Sequence, residues 1–110
     1  MPGRIRVAAV QMRFGADVAD NVGRMETALR RLARRGVKLA VFPECCLSDY
    51  VVPPSERDWD AIAAGTRDVS KLARSTRLAL IYGTAERNGR RKPFNTALAV
   101  DNRGRVASRY

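Results

Sequence analysis

The chain runs from an apolar strand directly into a carboxylate at Val41-Phe42-Pro43-Glu44-Cys45-Cys46-Leu47-Ser48-Asp49-Tyr50. Residues 37–42 are apolar at nearly every position, which is typical of a strand buried in a parallel sheet. Ligands of α/β proteins bind beyond the carboxyl ends of such strands, and Pro43 stiffens the backbone that presents Glu44. A carboxylate held against apolar walls suits a general base near neutral pH, but acidic residues at strand ends also cap turns. Position alone leaves both roles of Glu44 open and favours the turn-capping one.

The residues before this stretch predict a strand followed by a helix. Residues 5–12 form a short apolar run with β-branched members, which indicates a strand. Asp17 and Asp20 are capping candidates, and apolar residues then recur three and four positions apart up to Ala33. Gly36 is placed to end the helix. Strand, helix and strand within about forty residues predict a βαβ unit with parallel strands and a right-handed crossover.

The residues after the stretch predict a second helix and a meander. The predicted elements are a loop over 43–57, a helix over 56–76, and strands over 78–83, 94–101 and 106–110. Gly65 is a weak point of that helix. Asn88-Gly89 is a strong signal for a hairpin turn. The order β-α-β-α-β followed by a meander predicts an α/β fold with a mixed sheet, within a single domain over 1–110.

Composition excludes several classes of site. The chain carries 21 Lys and Arg against 11 Asp and Glu, two Cys and no His. Without His there is no His-dependent triad, His metal site or His-based pH switch in these residues. Cys45 and Cys46 alone cannot complete a zinc site, and adjacent cysteines do not make a disulfide framework. We therefore expect no metal and no cofactor.

The net charge of +10 permits nonspecific association with nucleic acid. The cations are dispersed, however, and the densest run, Arg87-Asn88-Gly89-Arg90-Arg91-Lys92, indicates a turn. No aromatic residues interleave with them as a stacking platform requires, so a solvated surface is favoured over a nucleic-acid interface. No segment approaches the roughly 20 apolar residues of a membrane span or the apolar core of a signal peptide. We expect a cytoplasmic protein with no membrane partner.

The remaining nucleophile candidates have no catalytic neighbours in sequence. No His is available to activate the thiol of Cys45 or Cys46, so we predict structural roles for both, with vicinal-thiol redox sensing as the alternative. Lys38, Lys71 and Lys92 are scattered along the chain. We predict that all three are solvated.

A wider pattern extends through the whole chain. Its members are Val7-Ala8-Ala9-Val10-Gln11-Met12, Asn21, Leu39-Ala40-Val41-Phe42-Pro43-Glu44, Leu80-Ile81-Tyr82-Gly83, Phe94-Asn95-Thr96-Ala97, Gly104 and Tyr110. In this order they resemble the nitrilase superfamily, the carbon–nitrogen hydrolases. The segment that ends at Glu44 is similar to the motif that carries the family's catalytic glutamate. The resemblance therefore reverses the preference stated above and implies that Glu44 is a general base.

The resemblance implies more than these residues can provide. Members of the family form a four-layer α-β-β-α sandwich, of which 1–110 would be the N-terminal part. Their Glu-Lys-Cys triad hydrolyses small amides, nitriles or N-carbamoyl compounds, and the complete proteins form homo-oligomers. The family lysine follows the tyrosine that matches Tyr110 and the cysteine comes much later, so only Glu44 of the triad lies here. The chain is therefore expected to be incomplete at its C-terminus and inactive alone.

One residue departs from the family pattern near Glu44. Asp49 stands between Ser48 and Tyr50, where the family usually has Gly. Asp tolerates the left-handed backbone region better than most residues, so we expect the turn to survive. An extra carboxylate at this position would disfavour acidic substrates.

Two other functions stay open at this stage. The chain could be a noncatalytic remnant or partner-dependent interaction module, and a basic nucleic-acid-binding domain is the less favoured alternative. An incomplete sandwich would leave apolar side chains facing water on one side of the sheet. The side chains predicted to do so are Val7, Ala9, Leu39, Val41, Leu80 and Phe94.

Overall fold

The computed structural model of the chain describes residues 3–49, 53 and 56–110. Its elements are β1 (Val7–Ala9), α1 (Val18–Arg34), β2 (Leu39–Val41), α2 (Trp59–Thr76), β3 (Ala79–Asn88), β4 (Arg91–Val100) and β5 (Val106–Arg109). They form one five-stranded sheet in the order β1-β2-β3-β4-β5, in which β1, β2 and β3 are parallel and β3, β4 and β5 are antiparallel. The predicted mixed sheet and the parallel βαβ pairing are confirmed.

Aspartate caps determine where both helices begin. The side chain of Asp17 accepts a hydrogen bond from the Asp20 backbone N–H at 2.8 Å, and Asp58 accepts one from that of Ala61 at 2.9 Å. Each bond satisfies a donor that the first helical turn leaves unpaired. α2 therefore begins at Trp59, later than the predicted 56. Gly36, with a φ of +73°, follows the end of α1 as predicted.

Both helices cover the same face of the sheet. The core beneath them is built from Met25, Leu29, Val69, Leu72 and Ala73 on the helices and from Ala40, Leu80, Tyr82, Leu98 and Val100 on the strands. The predicted weak point of α2, Gly65, is instead a contact between elements. A Cβ on this residue would lie 2.7 Å from Cγ1 of Val18, so glycine lets α2 approach α1 closely.

The other face of the sheet, called the open face below, carries no helix among the described residues. Val7 is 58% exposed and Val41 is 40% exposed on this face. The prediction for Leu80 was wrong, because this side chain is fully buried under the helices. Side chains alternate along a strand, so the neighbouring Ile81, paired with Val41, takes the open-face position. Phe94 is 55% exposed, as predicted, but its pairing with Glu86 places it on the other side of the sheet from Val41.

The strand boundaries differ most at the hairpin. β3 continues to Asn88 and pairs there with Arg91, so the two turn residues are Gly89 and Arg90 rather than the predicted Asn88 and Gly89. Gly89 has a φ of +56°, and glycine at the first central position suits a type II′ turn. β1 is shorter than the predicted 5–12, since only Val7–Ala9 pairs as a strand with β2.

Part of the predicted loop over 43–57 lies outside the described residues, namely Tyr50, Val51, Val52, Pro54 and Ser55. The described part begins with a turn over 44–48. Neither helix in the described part of the chain combines the length and apolar character needed to cross a membrane.

Candidate active site

Glu44 opens a turn over 44–48, called the Glu44 turn below, which follows β2 and folds back over β3. The backbone N–H of Leu47 donates to the carbonyl of Gly83 at 3.1 Å, and the N–H of Ala85 donates to Oγ of Ser48 at 2.7 Å. Helix α1 contributes a third hydrogen bond to the turn, in which Nδ2 of Asn21 donates to the carbonyl of Leu47 at 2.9 Å. The position of Glu44 is thus set by both β3 and α1.

Gly83 allows the Glu44 turn to lie directly on β3. A Cβ on this residue would be 2.2 Å from the backbone nitrogen of Cys45 and 2.8 Å from the carbonyl carbon of Glu44. Contacts of this length are not tolerated, so only glycine permits the approach. Gly83 belongs to the segment Leu80-Ile81-Tyr82-Gly83 of the family pattern, but no signal in the sequence indicated its contact with the turn.

The carboxylate of Glu44 contacts a side chain from β4. Nδ2 of Asn95 donates a hydrogen bond to Oε1 of Glu44, and Oδ1 of the same carboxamide accepts one from the Cys45 thiol at 3.2 Å. Asn95 pairs with Ala85 in the sheet, which brings it to the Glu44 turn from fifty-one positions away in sequence. Its signal in the sequence was its place in the segment Phe94-Asn95-Thr96-Ala97.

The site is an open depression of about 360 Å³ at the carboxyl end of β2. Its lining includes Glu44 and Asn95 together with Val41, Phe42, Pro43, Ile81, Gly83, Ala97 and Tyr110. Both Glu44 and Asn95 are exposed there. A carboxylate that is accessible on an otherwise mostly apolar surface can take or give a proton to a group bound in the depression.

The two cysteines are buried, as their predicted structural roles require. Cys45 is 2% exposed and Cys46 is fully buried. Burial, and then the neighbouring Glu44 carboxylate, raises the pKa of the Cys45 thiol. Burial raises the pKa of Cys46 to about 11. Both thiols are therefore protonated near neutral pH, which is unsuited to nucleophilic attack.

The lysines and the acidic residues add no further catalytic group at this position. Lys38, Lys71 and Lys92 are exposed, as predicted, and none lines the depression. Asp49 adopts the left-handed conformation with a φ of +62°, so the turn tolerates Asp at the family's usual Gly position. The described residues contain no group of three or more carboxylates and thiols arranged to hold a metal ion.

A separate cleft of about 440 Å³ lies between α2 and the connection from β4 to β5. Its cations are Arg67, Lys71, Arg74, Arg103 and Arg109. Glu86 lines the same cleft and pairs with Arg109 at 3.0 Å. No aromatic side chain lines this cleft, so it lacks the stacking surface typical of single-stranded nucleic-acid sites.

Comparison with known proteins gives a consistent result. A family model described as carbon-nitrogen hydrolase matches residues 6–110. The omega-amidase NIT2 of Danio rerio is 30% identical over 94 residues, covering 84% of this chain and 34% of that protein. The Homo sapiens omega-amidase NIT2 is 26% identical over 106 residues, covering 96% of this chain and 38% of that protein. The chain thus spans well under half the length of these relatives.

Solved structures show the same fold. An amidase from Nesterenkonia sp. superimposes with a TM-score of 0.84 at 22% identity, over 96% of this chain and 41% of that one. A cysteine-to-serine mutant of the Nesterenkonia AN1 amidase from the nitrilase superfamily superimposes with a TM-score of 0.85 at 23% identity, over 99% and 43% of the two chains. The sheet and both helices therefore correspond to less than half of a larger fold.

Proposed function

The chain belongs to the carbon–nitrogen hydrolase family, and from this premise we propose that it supplies the N-terminal part of an amidase acting on small non-peptide amides. The observation that carries the proposal is the position of Glu44. Its carboxylate follows β2, reaches an open depression and is held by Asn95. In the proposed enzyme Glu44 is the general base.

The proposed reaction uses Glu44 twice as a proton carrier. A cysteine thiol gives its proton to Glu44 while the sulfur attacks the amide carbon and the carbonyl π electrons move onto oxygen. The proton then passes to the amide nitrogen, the C–N bond breaks, and ammonia leaves behind a thioester. Water next attacks the thioester and gives a proton to Glu44. The thiolate leaves and recovers that proton, which restores both groups.

Two catalytic groups of the proposed reaction, the nucleophilic thiol and the lysine, are not supplied by residues 1–110. Cys45 and Cys46 are buried and protonated, and no lysine lines the depression at Glu44. The resemblance implies that the nucleophilic cysteine, and the lysine that stabilises the tetrahedral oxyanion, come from further chain. We therefore propose that residues 1–110 alone have no hydrolase activity. A homo-oligomeric state and a cytoplasmic location stay predictions from the sequence.

The direct test is Glu44→Gln in the full-length protein that carries this chain. Glutamine has nearly the same shape but cannot accept the thiol proton, so we expect kcat for ammonia release from small amides to fall by about 10²–10⁴. The melting temperature should not change. Glu26→Gln, which removes only the exposed ion pair with Arg30, is the matched control and should retain activity. Near-complete activity of Glu44→Gln at an unchanged melting temperature would overturn the assignment.

The open face of the sheet favours a second candidate, a noncatalytic module that needs a partner chain. Val7, Val41 and the half-buried Ile81 leave an apolar surface for which no cover exists among the described residues. The same assay separates the candidates. A full-length protein that folds, yet hydrolyses no small amide, nitrile or N-carbamoyl compound, would support the module and contradict the amidase.

A further inference from the structure

One side chain outside the proposed triad forms a hydrogen bond with Glu44. Asn95 lies on β4, in register with Ala85, and its carboxamide spans the distance between the carboxylate of Glu44 and the thiol of Cys45. We propose that Asn95 is a positioning residue for Glu44. The side-chain N–H of Asn95 holds one carboxylate oxygen of Glu44 and leaves the other oxygen free to carry the proton. This inference rests on the proposed function, since it assigns a role in the same site.

The contact with Cys45 determines which way the carboxamide faces. The thiol can donate only while it is protonated, and it donates to Oδ1 of Asn95. Nδ2 is thereby directed to Glu44. The reverse orientation would place Oδ1 against a carboxylate oxygen and the N–H₂ group against a thiol proton. Cys45 thus selects the orientation in which the carboxamide donates to the base.

The second carboxylate oxygen, Oε2, has no hydrogen-bond partner in the part of the chain that the structure describes. A glutamate on an exposed turn would otherwise rotate among several side-chain conformations, and one fixed oxygen removes much of that freedom. Proton transfer needs the base within hydrogen-bond reach of the proton that it takes. An orienting contact from β4 supplies this placement.

Asn95→Asp is the sharpest test, because it keeps the shape of the side chain and replaces the donating N–H with an oxygen. In the full-length protein we expect kcat to fall by about tenfold to a hundredfold, because a slightly misplaced catalytic group can cost about 10²-fold in rate. KM should change less than kcat, because the proposed role of Asn95 acts through Glu44. Asn102→Asp makes the same chemical change at an exposed position in the turn between β4 and β5 and should leave both constants as they are.

The pH dependence distinguishes positioning from a purely structural role. Among the described residues, the titratable groups around Glu44 are Cys45 on its own turn and Tyr82 and Tyr110 in the lining of the depression, with Asp49 and Arg57 acting on the Cys45 thiol. In Asn95→Asp two carboxylates face each other, so one keeps its proton more readily and the acidic limb of the kcat/KM profile moves to higher pH. Asn95→Ala lacks the added charge, so it should lower kcat and move the limb less.

Each outcome decides the question. If Glu44→Gln abolishes turnover while Asn95→Asp keeps the wild-type kcat and acidic limb, the inference is wrong and the proposed function stands. If Glu44→Gln keeps full turnover, the proposed function fails first. Equal losses in Asn95→Asp and Asn95→Ala with an unmoved acidic limb would show a structural role only. Should Asn95→Asp not fold, a Glu44→Gln/Asn95→Ala double variant with no loss beyond Glu44→Gln still supports the inference, and a further loss contradicts it.

Discussion

At the scale of single residues, the adjacent cysteines occupy different environments. The Cys45 thiol lies at the open face and donates to Asn95. The Cys46 thiol lies in the core, 4.0 Å from the sulfur of Met25. Cys45 also has a φ of +51°, an unusual conformation for a residue with a side chain. This backbone conformation lets two neighbouring side chains serve the site and the core separately.

The buried thiol of Cys46 makes the folded chain less stable as the pH becomes alkaline. Its pKa rises from an ordinary 9.0 to about 11 in the folded chain, so the protonated form favours folding. This contribution is complete below the unfolded value of 9.0 and is lost as pH rises through the folded value. We expect the free energy of unfolding to fall by on the order of 2 kcal/mol over this interval.

Denaturant titrations at pH 8 to 11 on Cys46→Ala should show a shallower decline than the wild type. Val100→Ala removes a side chain of the same core that pairs with Leu80, away from the Glu44 turn, and removes no titrating group. It should be less stable at every pH yet keep the wild-type dependence on pH. An identical decline in Cys46→Ala and the wild type would exclude Cys46 as the cause.

At the scale of elements, the close packing of the Glu44 turn against β3 depends on Gly83. An added methyl group would meet the backbone of Cys45 at 2.2 Å, and backbone cannot move aside as a flexible side chain can. We expect Gly83→Ala to destabilise the fold by about 1–3 kcal/mol. Because Glu44 lies in the displaced turn, kcat of the full-length protein should also fall.

The matched control for Gly83→Ala is a glycine substitution that we expect to raise the stability of the fold. Gly23 lies on the exposed side of α1, and a Cβ there would meet nothing within 4 Å. Gly23→Ala should therefore stabilise the helix by about 0.5–1 kcal/mol, since alanine loses less backbone entropy than glycine. Thermal unfolding of both variants checks the pair. If the two substitutions shifted the melting temperature alike, close packing at Gly83 would not be the explanation.

Local signals were sufficient for the helices, whereas the role of Glu44 was predicted only from the resemblance that extends through the chain. The apolar periodicity and the aspartate caps are written into neighbouring residues, so α1 and α2 could be predicted to within a few positions. The extension of β3 and β4 toward the hairpin could not, because Glu86, Arg87, Arg91 and Lys92 lack the alternation that indicates a strand. Their pairing comes from backbone hydrogen bonds, which do not depend on apolar side chains.

The partners of Glu44 could not be predicted from local signals. Asn95 and Gly83 reach the turn only through the register of β3 and β4, and register is a property of the whole sheet. The same reasoning explains the error at Leu80. Alternation predicts that neighbouring residues face opposite sides, but which set faces the helices depends on where α1 and α2 pack.

At the scale of the whole molecule, the fold has one finished and one unfinished side. Helices α1 and α2 bury one face of the sheet, and no helix or second sheet of the described chain covers the other. β1 and β5 are the two edges of the sheet, and both are open among these residues. Open apolar faces and strand edges promote association. In the proposed enzyme the remaining chain would cover the open face.

The isolated chain of residues 1–110 should therefore self-associate through the open face and show no hydrolase activity. The net charge of +10 opposes contact between copies, and salt screens that repulsion, so association should increase with ionic strength. Val41→Lys places a charge on the open face, where Val41 is 40% exposed, and should reduce association. Val106→Lys makes the same change at a residue that is 46% exposed and lines the cleft beside α2, and it should have little effect.

Analytical ultracentrifugation at two salt concentrations compares the wild-type chain with these two variants, and amide exchange reports whether each is folded. A well-protected monomer at both concentrations, unaffected by either lysine, would show that the chain needs no cover on its open face, which would favour a self-sufficient module over part of a hydrolase.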